Sequence, residues 1–303
     1  VSAEPGPRSA AKVLVEPALA KINLTLEVLA RAPDGYHLIE SLVTFADLGE
    51  RVTATVGGAA PLDVSGPQAG ALAGEANLVE AADRALREEF PATPAVSYRL
   101  AKHIPVAAGL GGGSADAAAV LRLLARLGGH GTTAAALARI GLGIGADVPV
   151  CIASRPARVT GIGEGVELLA NMPGLALVLV NPGIRLETRA VFEALDLAPG
   201  QHRRGRAGAR VADERAALAE AVISGRNDLE PPARRLVPQI GEVVGAIART
   251  AGCLAARMSG SGATAFGIFE DPGAARRAAG DLGRDRPGWW VRAALTTGFS
   301  ASG

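Results

Sequence analysis

The densest group of residues able to do chemistry is a glycine run, Gly109-Leu110-Gly111-Gly112-Gly113-Ser114, set between a strand-like segment and an apolar helix. A glycine-rich turn that opens a helix gathers backbone N–H groups, and the helix dipole adds partial positive charge, so a phosphate can approach the main chain. The same loop would also serve tight packing of a helix on a sheet. No Gly-Lys-Ser/Thr follows the glycines, so the P-loop pattern fails. The dinucleotide fingerprint fits poorly, because no acidic residue stands at a strand end about twenty residues further on. A second small-residue run, Met258-Ser259-Gly260-Ser261-Gly262-Ala263-Thr264, lies towards the C-terminus. Upstream, Lys21 and Asn23 share one face of an alternating segment, Lys21–Leu29, whose other face carries Ile22, Leu24, Leu26 and Val28. The pair Tyr36-His37 follows a turn at Ala32-Pro33-Asp34-Gly35.

These residues need elements to hold them. A short strand is expected from Lys12, and Lys21–Leu29 reads as a strand with one buried face. Asn77 with Glu80 resembles a capping box that opens a helix through about Phe90. Val96–Leu100 is strand-like. The helix after the glycine run carries an apolar stripe of Val120, Leu123, Leu124 and Leu127, with Arg122 and Arg126 on its polar side and Ser114 placed as N-cap. Leu175–Val180 is an apolar strand between Met172-Pro173-Gly174 and Asn181-Pro182-Gly183. The domain change is placed just before it, dividing the chain into 11–168 and 169–300. Helices are expected near Asp213–Ile223 and Pro238–Ala251. Strands at Ala265–Phe269 and Trp289–Ala293 flank a last helix, and no internal repeat is visible.

The chain has 303 residues, enough for about two domains. Its 31 basic and 30 acidic side chains leave a net charge of +1, which argues against nucleic acid or an anionic membrane as partner. Hydrophobic residues at 49% and charged ones at 20% exclude a disordered chain. The basic stretch His202-Arg203-Arg204-Gly205-Arg206 reads as a solvated loop, since it lacks interleaved aromatics. His103, His130 and His202 have no partners at metal-ligand spacing. Cys151 and Cys253 read as buried thiols in a reducing compartment. No apolar stretch is long enough to span a membrane, and no secretory leader is visible, so a cytoplasmic protein is expected.

The run Pro105-Val106-Ala107-Ala108-Gly109-Leu110-Gly111-Gly112-Gly113-Ser114-Ala115-Asp116 closely resembles the second signature of the GHMP family. That family takes its name from galactokinase, homoserine kinase, mevalonate kinase and phosphomevalonate kinase. Its first and third signatures are matched by Pro17-Ala18-Leu19-Ala20-Lys21-Ile22-Asn23-Leu24 and by Met258–Thr264, in family order. The resemblance implies an α+β, two-domain fold that binds nucleotide and substrate in the cleft between domains, with ATP and Mg²⁺ as cofactors. Three further features, Asp34-Gly35-Tyr36-His37, Gly145-Ala146-Asp147-Val148-Pro149-Val150 and Arg226-Asn227-Asp228-Leu229-Glu230, resemble one branch of it. That branch phosphorylates the 2-hydroxyl of 4-diphosphocytidyl-2-C-methyl-D-erythritol on the non-mevalonate route to isoprenoid precursors. A homoserine- or mevalonate-type kinase is the alternative within the family, and a non-catalytic ligand sensor the alternative outside catalysis.

By this resemblance Asp147 is the catalytic base and Lys21 its partner, steadying the transferring phosphoryl group. Asn23 hydrogen-bonds the acceptor hydroxyl region. The backbone from Pro105 to Ala115, with Ser114, cradles the ATP phosphates, while Asn77 and Lys102 approach the adenosine end. Tyr36 and His37 read cytosine: a neutral imidazole meets the base edge and an aromatic ring covers a face. Phe192 takes the other face, with Thr188 nearby, although Thr188-Arg189-Ala190-Val191-Phe192 departs from the usual form. Asp116 either helps hold Mg²⁺ or simply favours a helix N-terminus.

Overall fold

The computed structural model describes residues 12–57, 62–72, 77–129, 131–203, 220 and 222–296. The first of two sheets is organised on one long strand, β3 (His37–Val56), which pairs antiparallel with four others. Its first part takes β2 (Glu27–Arg31) on one edge and β6 (Ala157–Gly161) on the other. Its last part takes β1 (Val13–Asn23) and β5 (Val96–Ala101). A short β4 (Asp63–Ser65) joins β5 in parallel, and β7 (Gly165–Leu168) extends the other end through β6. The second sheet is antiparallel, in the order β11 (Trp290–Leu295), β8 (Ala176–Asn181), β10 (Ala265–Phe269), β9 (Cys253–Met258).

Helices α1 (Leu78–Glu89), α2 (Gly112–Gly128), α3 (Ala134–Leu142) and α4 (Val148–Ala153) bury their apolar faces in one core with the first sheet. In α1 the Asn77 side chain accepts the Val79 N–H at 3.0 Å, and Val79, Ala82 and Leu86 form the buried stripe. In α2 the run Ala117–Leu121 is fully buried, since small alanines let the helix lie close against the sheet. After the short α5 (Thr188–Glu193), α6 (Glu230–Leu236), α7 (Gln239–Ala248) and α8 (Pro272–Asp285) pack on the second sheet.

Strand β8 explains its uninterrupted apolar run, because both its faces are covered. Val178 and Val180 join the core with α7 and α8, whereas Leu177 and Leu179 join Ile22 and Leu24 of the first half and Phe266 of β10. Full burial of each such leucine is worth about 1.5–3 kcal/mol. A seam of apolar side chains therefore joins the two sheets.

Several expectations are corrected. The alternating segment Lys21–Leu29 is not one half-exposed strand: β1 ends at Asn23, the chain turns, and β2 begins at Glu27. Lys21 and Asn23 are 4% and 3% exposed, because glycine loops rather than solvent cover their face. Ser114 is not the N-cap of α2; that place belongs to Gly111, at φ +63° with no side-chain cap. Arg122 is not solvated but tucked against β1 and α4. Cys151 is fully buried as expected, whereas Cys253 is half-buried. The helix expected over Asp213–Ile223 falls largely outside the described residues, as does the basic stretch after Arg203. Arg203 itself pairs with Asp228 at 3.3 Å. Among the described residues, no helix is long and apolar enough to cross a membrane.

Candidate active site

A cleft of about 440 Å³ is lined by residues from both halves of the chain. Its floor is the glycine loop, and that loop is fixed from behind by the second small-residue run. Ser259 Oγ donates to the Gly109 carbonyl at 3.0 Å and accepts the Asn23 N–H at 3.1 Å. The Thr264 N–H reaches the Ala108 carbonyl at 3.1 Å. Asn227 Nδ2 in turn bonds the carbonyls of Met258 and Gly260 at 2.8 and 2.7 Å. All three signature segments thus meet at one hydroxyl. Gly109 has φ +72°, and a Cβ there would lie 2.4 Å from the Ser259 carbonyl, so only glycine permits the approach.

At one wall Lys21 Nζ meets Asp147 Oδ1 at 2.6 Å. The lysine side chain is 5% exposed and the carboxylate 42%, so the carboxylate opens to the cleft while the cation is enclosed. Asp147 occupies the N-cap position of α4 but makes no capping bond there. Gly111 leaves the space that the Lys21 stem fills: a Cβ would come within 3.2 Å of Cε. Asn23 gives Nδ2 to Ser41 Oγ at 2.8 Å, while its buried Oδ1 has no protein partner. An unsatisfied buried acceptor costs about 1–3 kcal/mol, so a hydroxyl donor from a ligand would be welcome there.

At the other end the His37 ring, which does not itself line the cleft, packs on Phe192, centroids 4.8 Å apart and planes tilted by 31°. The buried His37 Nε2 has no partner. Burial, reinforced by the Arg31 cation, lowers the His37 pKa and keeps the imidazole neutral. Phe192 lines the cleft, as does Thr188, whose hydroxyl lies 2.8 Å from that of Ser261. Tyr36 stands 60% exposed and does not line the cleft; its N–H closes a turn on Asp34 Oδ1 at 3.1 Å. Leu110 and Ala115 are buried behind the loop, while Pro105–Gly109 and Gly111–Ser114 face the cleft.

Asn77 and Lys102 line the far side. Lys102 is buried and committed to two carboxylates, Glu50 Oε2 and, at 2.8 Å, Asp116 Oδ2. This group lies beneath the first residue of α2, where a Cβ on Gly112 would sit 3.4 Å from Lys102 Nζ. Burial with Asp116 alongside pushes the Glu50 carboxyl up to about 9, so at neutral pH Glu50 keeps its proton. Asp116 Oδ1 is buried, unpartnered and at the cleft. Magnesium takes one or two protein oxygens and completes its shell with phosphates and water, and this oxygen fits that donor set. Among the described residues no group of three His, Cys, Asp or Glu side chains could hold a metal by itself.

Sequence reasoning assigned no role to Ser259, Asn227 or Glu50. The first two stood inside recognised motifs, but their bonds join segments distant in sequence. Glu50 gave no local signal, being an acid within a long strand.

The family model for the GHMP kinases N terminal domain matches residues 77–155, and that for GHMP kinases C terminal matches 210–286. The class is therefore that of the GHMP kinases. Two curated 4-diphosphocytidyl-2-C-methyl-D-erythritol kinases are close in sequence. That of Parvibaculum lavamentivorans is 48% identical over 94% of this chain and 99% of its own. That of Paramagnetospirillum magneticum is 46% identical over 90% and 94%. A crystal structure of 4-(cytidine 5'-diphospho)-2C-methyl-D-erythritol kinase superposes with a TM-score of 0.75 at 34% identity, covering 94% of this chain and 100% of that one. The chain belongs to the 4-diphosphocytidyl-2-C-methyl-D-erythritol kinase family.

Proposed function

We propose that this chain moves the γ-phosphoryl group of ATP to the 2-hydroxyl of 4-diphosphocytidyl-2-C-methyl-D-erythritol, on the non-mevalonate route to isoprenoid precursors. The observation that carries the reading is the Lys21–Asp147 pair, 2.6 Å apart and facing the glycine loop across one cleft. The N-terminal amides of α2, left without a side-chain cap, receive the phosphates together with Ser114. Asn23 Oδ1 accepts from a neighbouring hydroxyl of the substrate and so positions the reacting one. The reacting oxygen attacks the γ-phosphorus while the bond to the β–γ bridging oxygen breaks and ADP leaves. The hydroxyl proton passes to the Asp147 oxygen that Lys21 does not hold. Lys21 fixes the other Asp147 oxygen before transfer and offsets charge on the equatorial oxygens during it.

Magnesium, when bound, neutralises phosphate charge, and Asp116 Oδ1 with Ser114 Oγ are the groups that would hold it. The neutral His37 imidazole reads the cytosine edge, and Phe192 covers one face. Binding energy from this remote base holds the reacting hydroxyl in place. The exposed Tyr36 closes over the base from outside. The division at 168/169 goes with this reading, with nucleotide and acceptor held between the parts, and so does a cytoplasmic location where ATP is at hand.

The test is turnover of MgATP with 4-diphosphocytidyl-2-C-methyl-D-erythritol, beside homoserine and mevalonate. Turnover with the cytidylated alcohol alone is expected. Turnover only with another acceptor keeps the kinase and overturns the substrate. ATP binding without turnover on any of the three points to a ligand sensor.

A further inference from the structure

We infer that Arg122 is a positioning residue that sets the approach of Lys21 to Asp147, an assignment that rests on the kinase reading above. The helical pattern puts Arg122 on the polar side of α2, yet its side chain is only 19% exposed. Each of its three nitrogens is used. Nε donates to Glu16 Oε1 at 2.7 Å, and Nη2 to the Pro17 carbonyl at 2.9 Å, both on β1. Nη1 donates to the carbonyls of Cys151 and Ile152 at 2.6 and 3.2 Å and lies 3.4 Å from Ser154 Oγ. One planar guanidinium on the phosphate-loop helix therefore grips the strand that carries Lys21 and the last turn of the helix that begins at Asp147.

The lever arms are short. Pro17 and Lys21 share β1, and the Asp147 carbonyl accepts the Cys151 N–H at 3.2 Å, one helical turn away. Arg126 holds the second oxygen of Glu16 at 2.7 Å, so the anchor on β1 is itself fixed. The Cys151 carbonyl also accepts from Ser154 Oγ at 2.7 Å. A cation suits the negative end of α4 on dipole grounds alone. The fork does more, because it ties that end to β1 in one geometry. A lysine would keep the charge but could not reach three directions at once.

Arg122 touches neither the cleft nor the pair, so its effect must pass through their spacing. A misplacement of about 1 Å at a reacting centre can cost on the order of 10²-fold in rate. The Arg122→Lys variant is therefore expected to lose about 10- to 100-fold in kcat, with KM for ATP and for the cytidylated alcohol within about twofold of the unaltered chain. The decisive readout is a double-mutant cycle with Asp147→Asn. On that background Arg122→Lys should cost less than about twofold, since the spacing it sets no longer matters. An equal loss on both backgrounds, or a loss carried by KM for ATP, overturns the assignment. If Arg122→Lys fails to fold, Glu16→Gln loosens the same grip, and the same dependence on background is required of it. Absence of turnover by the unaltered chain overturns the kinase reading and this assignment with it. Turnover with an additive cycle removes Arg122 alone.

Discussion

An aspartate at a helix N-cap ordinarily accepts N–H groups of the first turn. Asp147 makes no such bond and gives an oxygen to Lys21 instead, which is the arrangement a proton acceptor needs. Asp147→Asn keeps the volume and removes both charge and basicity. Turnover should fall about 10²–10⁴-fold, while ATP affinity measured by calorimetry stays within about twofold; near-normal turnover would take Asp147 out of the role. Burial and the nearby Arg31 cation disfavour the charged form of His37. Its lowered pKa postpones protonation to below the ordinary 6.5. KM for the cytidylated alcohol should accordingly stay flat as pH falls from 8 through 6.5 and rise only beneath that. A rise centred at or above 6.5 would contradict a neutral imidazole reading the base. The common face of Lys21 and Asn23 was legible from strand alternation alone. Their burial was not, because the groups that enclose them come from Leu110, Gly111 and Ser259, far along the chain.

Elements with an unbroken period were readable: α1 with its Asn77 cap, β5, the stripe of α2, β8, α7 and β10. The long β3 was not, since Asp47-Leu48-Gly49-Glu50 interrupts its apolar pattern. Gly49 is there because β1 crosses too closely for a side chain: a Cβ would lie 2.2 Å from the Ala18 carbonyl, beside the register shift between Leu19 and Lys21. The start of α2 was misplaced for a related reason. A glycine in the left-handed region opens it, leaving amides free that a serine cap would have occupied. Glu50, next to Gly49, anchors this start through Lys102 and Asp116 and through the Ile104 N–H at 3.3 Å. Its pKa of about 9, against 4.5 for a free glutamate, makes the anchor pH-dependent. Between those values the folded chain keeps a proton that the unfolded chain releases, so this contribution to stability declines as pH rises through the window. Glu50→Gln holds that hydrogen permanently. In urea unfolding from pH 5 to 9 it should flatten the fall in stability and match or exceed the unaltered chain at pH 8. Parallel slopes for the two proteins would show that Glu50 does not carry the proton.

The cleft exists because two sheets are locked face to face through Ile22, Leu24, Leu177, Leu179, Phe266 and Ile268, a seam to which both halves contribute. A cleft lined from both sides would be of little use if the sides moved apart independently, and the same seam predicts that they do not unfold independently either. The chain's two tryptophans, Trp289 and Trp290, lie at or beside β11 and so report on the second sheet. Far-UV circular dichroism reports on both. Leu177→Ala removes fully buried methyl groups from the seam and should cost about 2–5 kcal/mol. Because the cavity is shared, the loss should lower one common midpoint, with tryptophan emission and circular dichroism still coincident. A variant whose tryptophan transition moves ahead of the dichroism transition would mean that the second sheet stands on its own α7–α8 core, and that the cleft is a hinge between two independently stable parts.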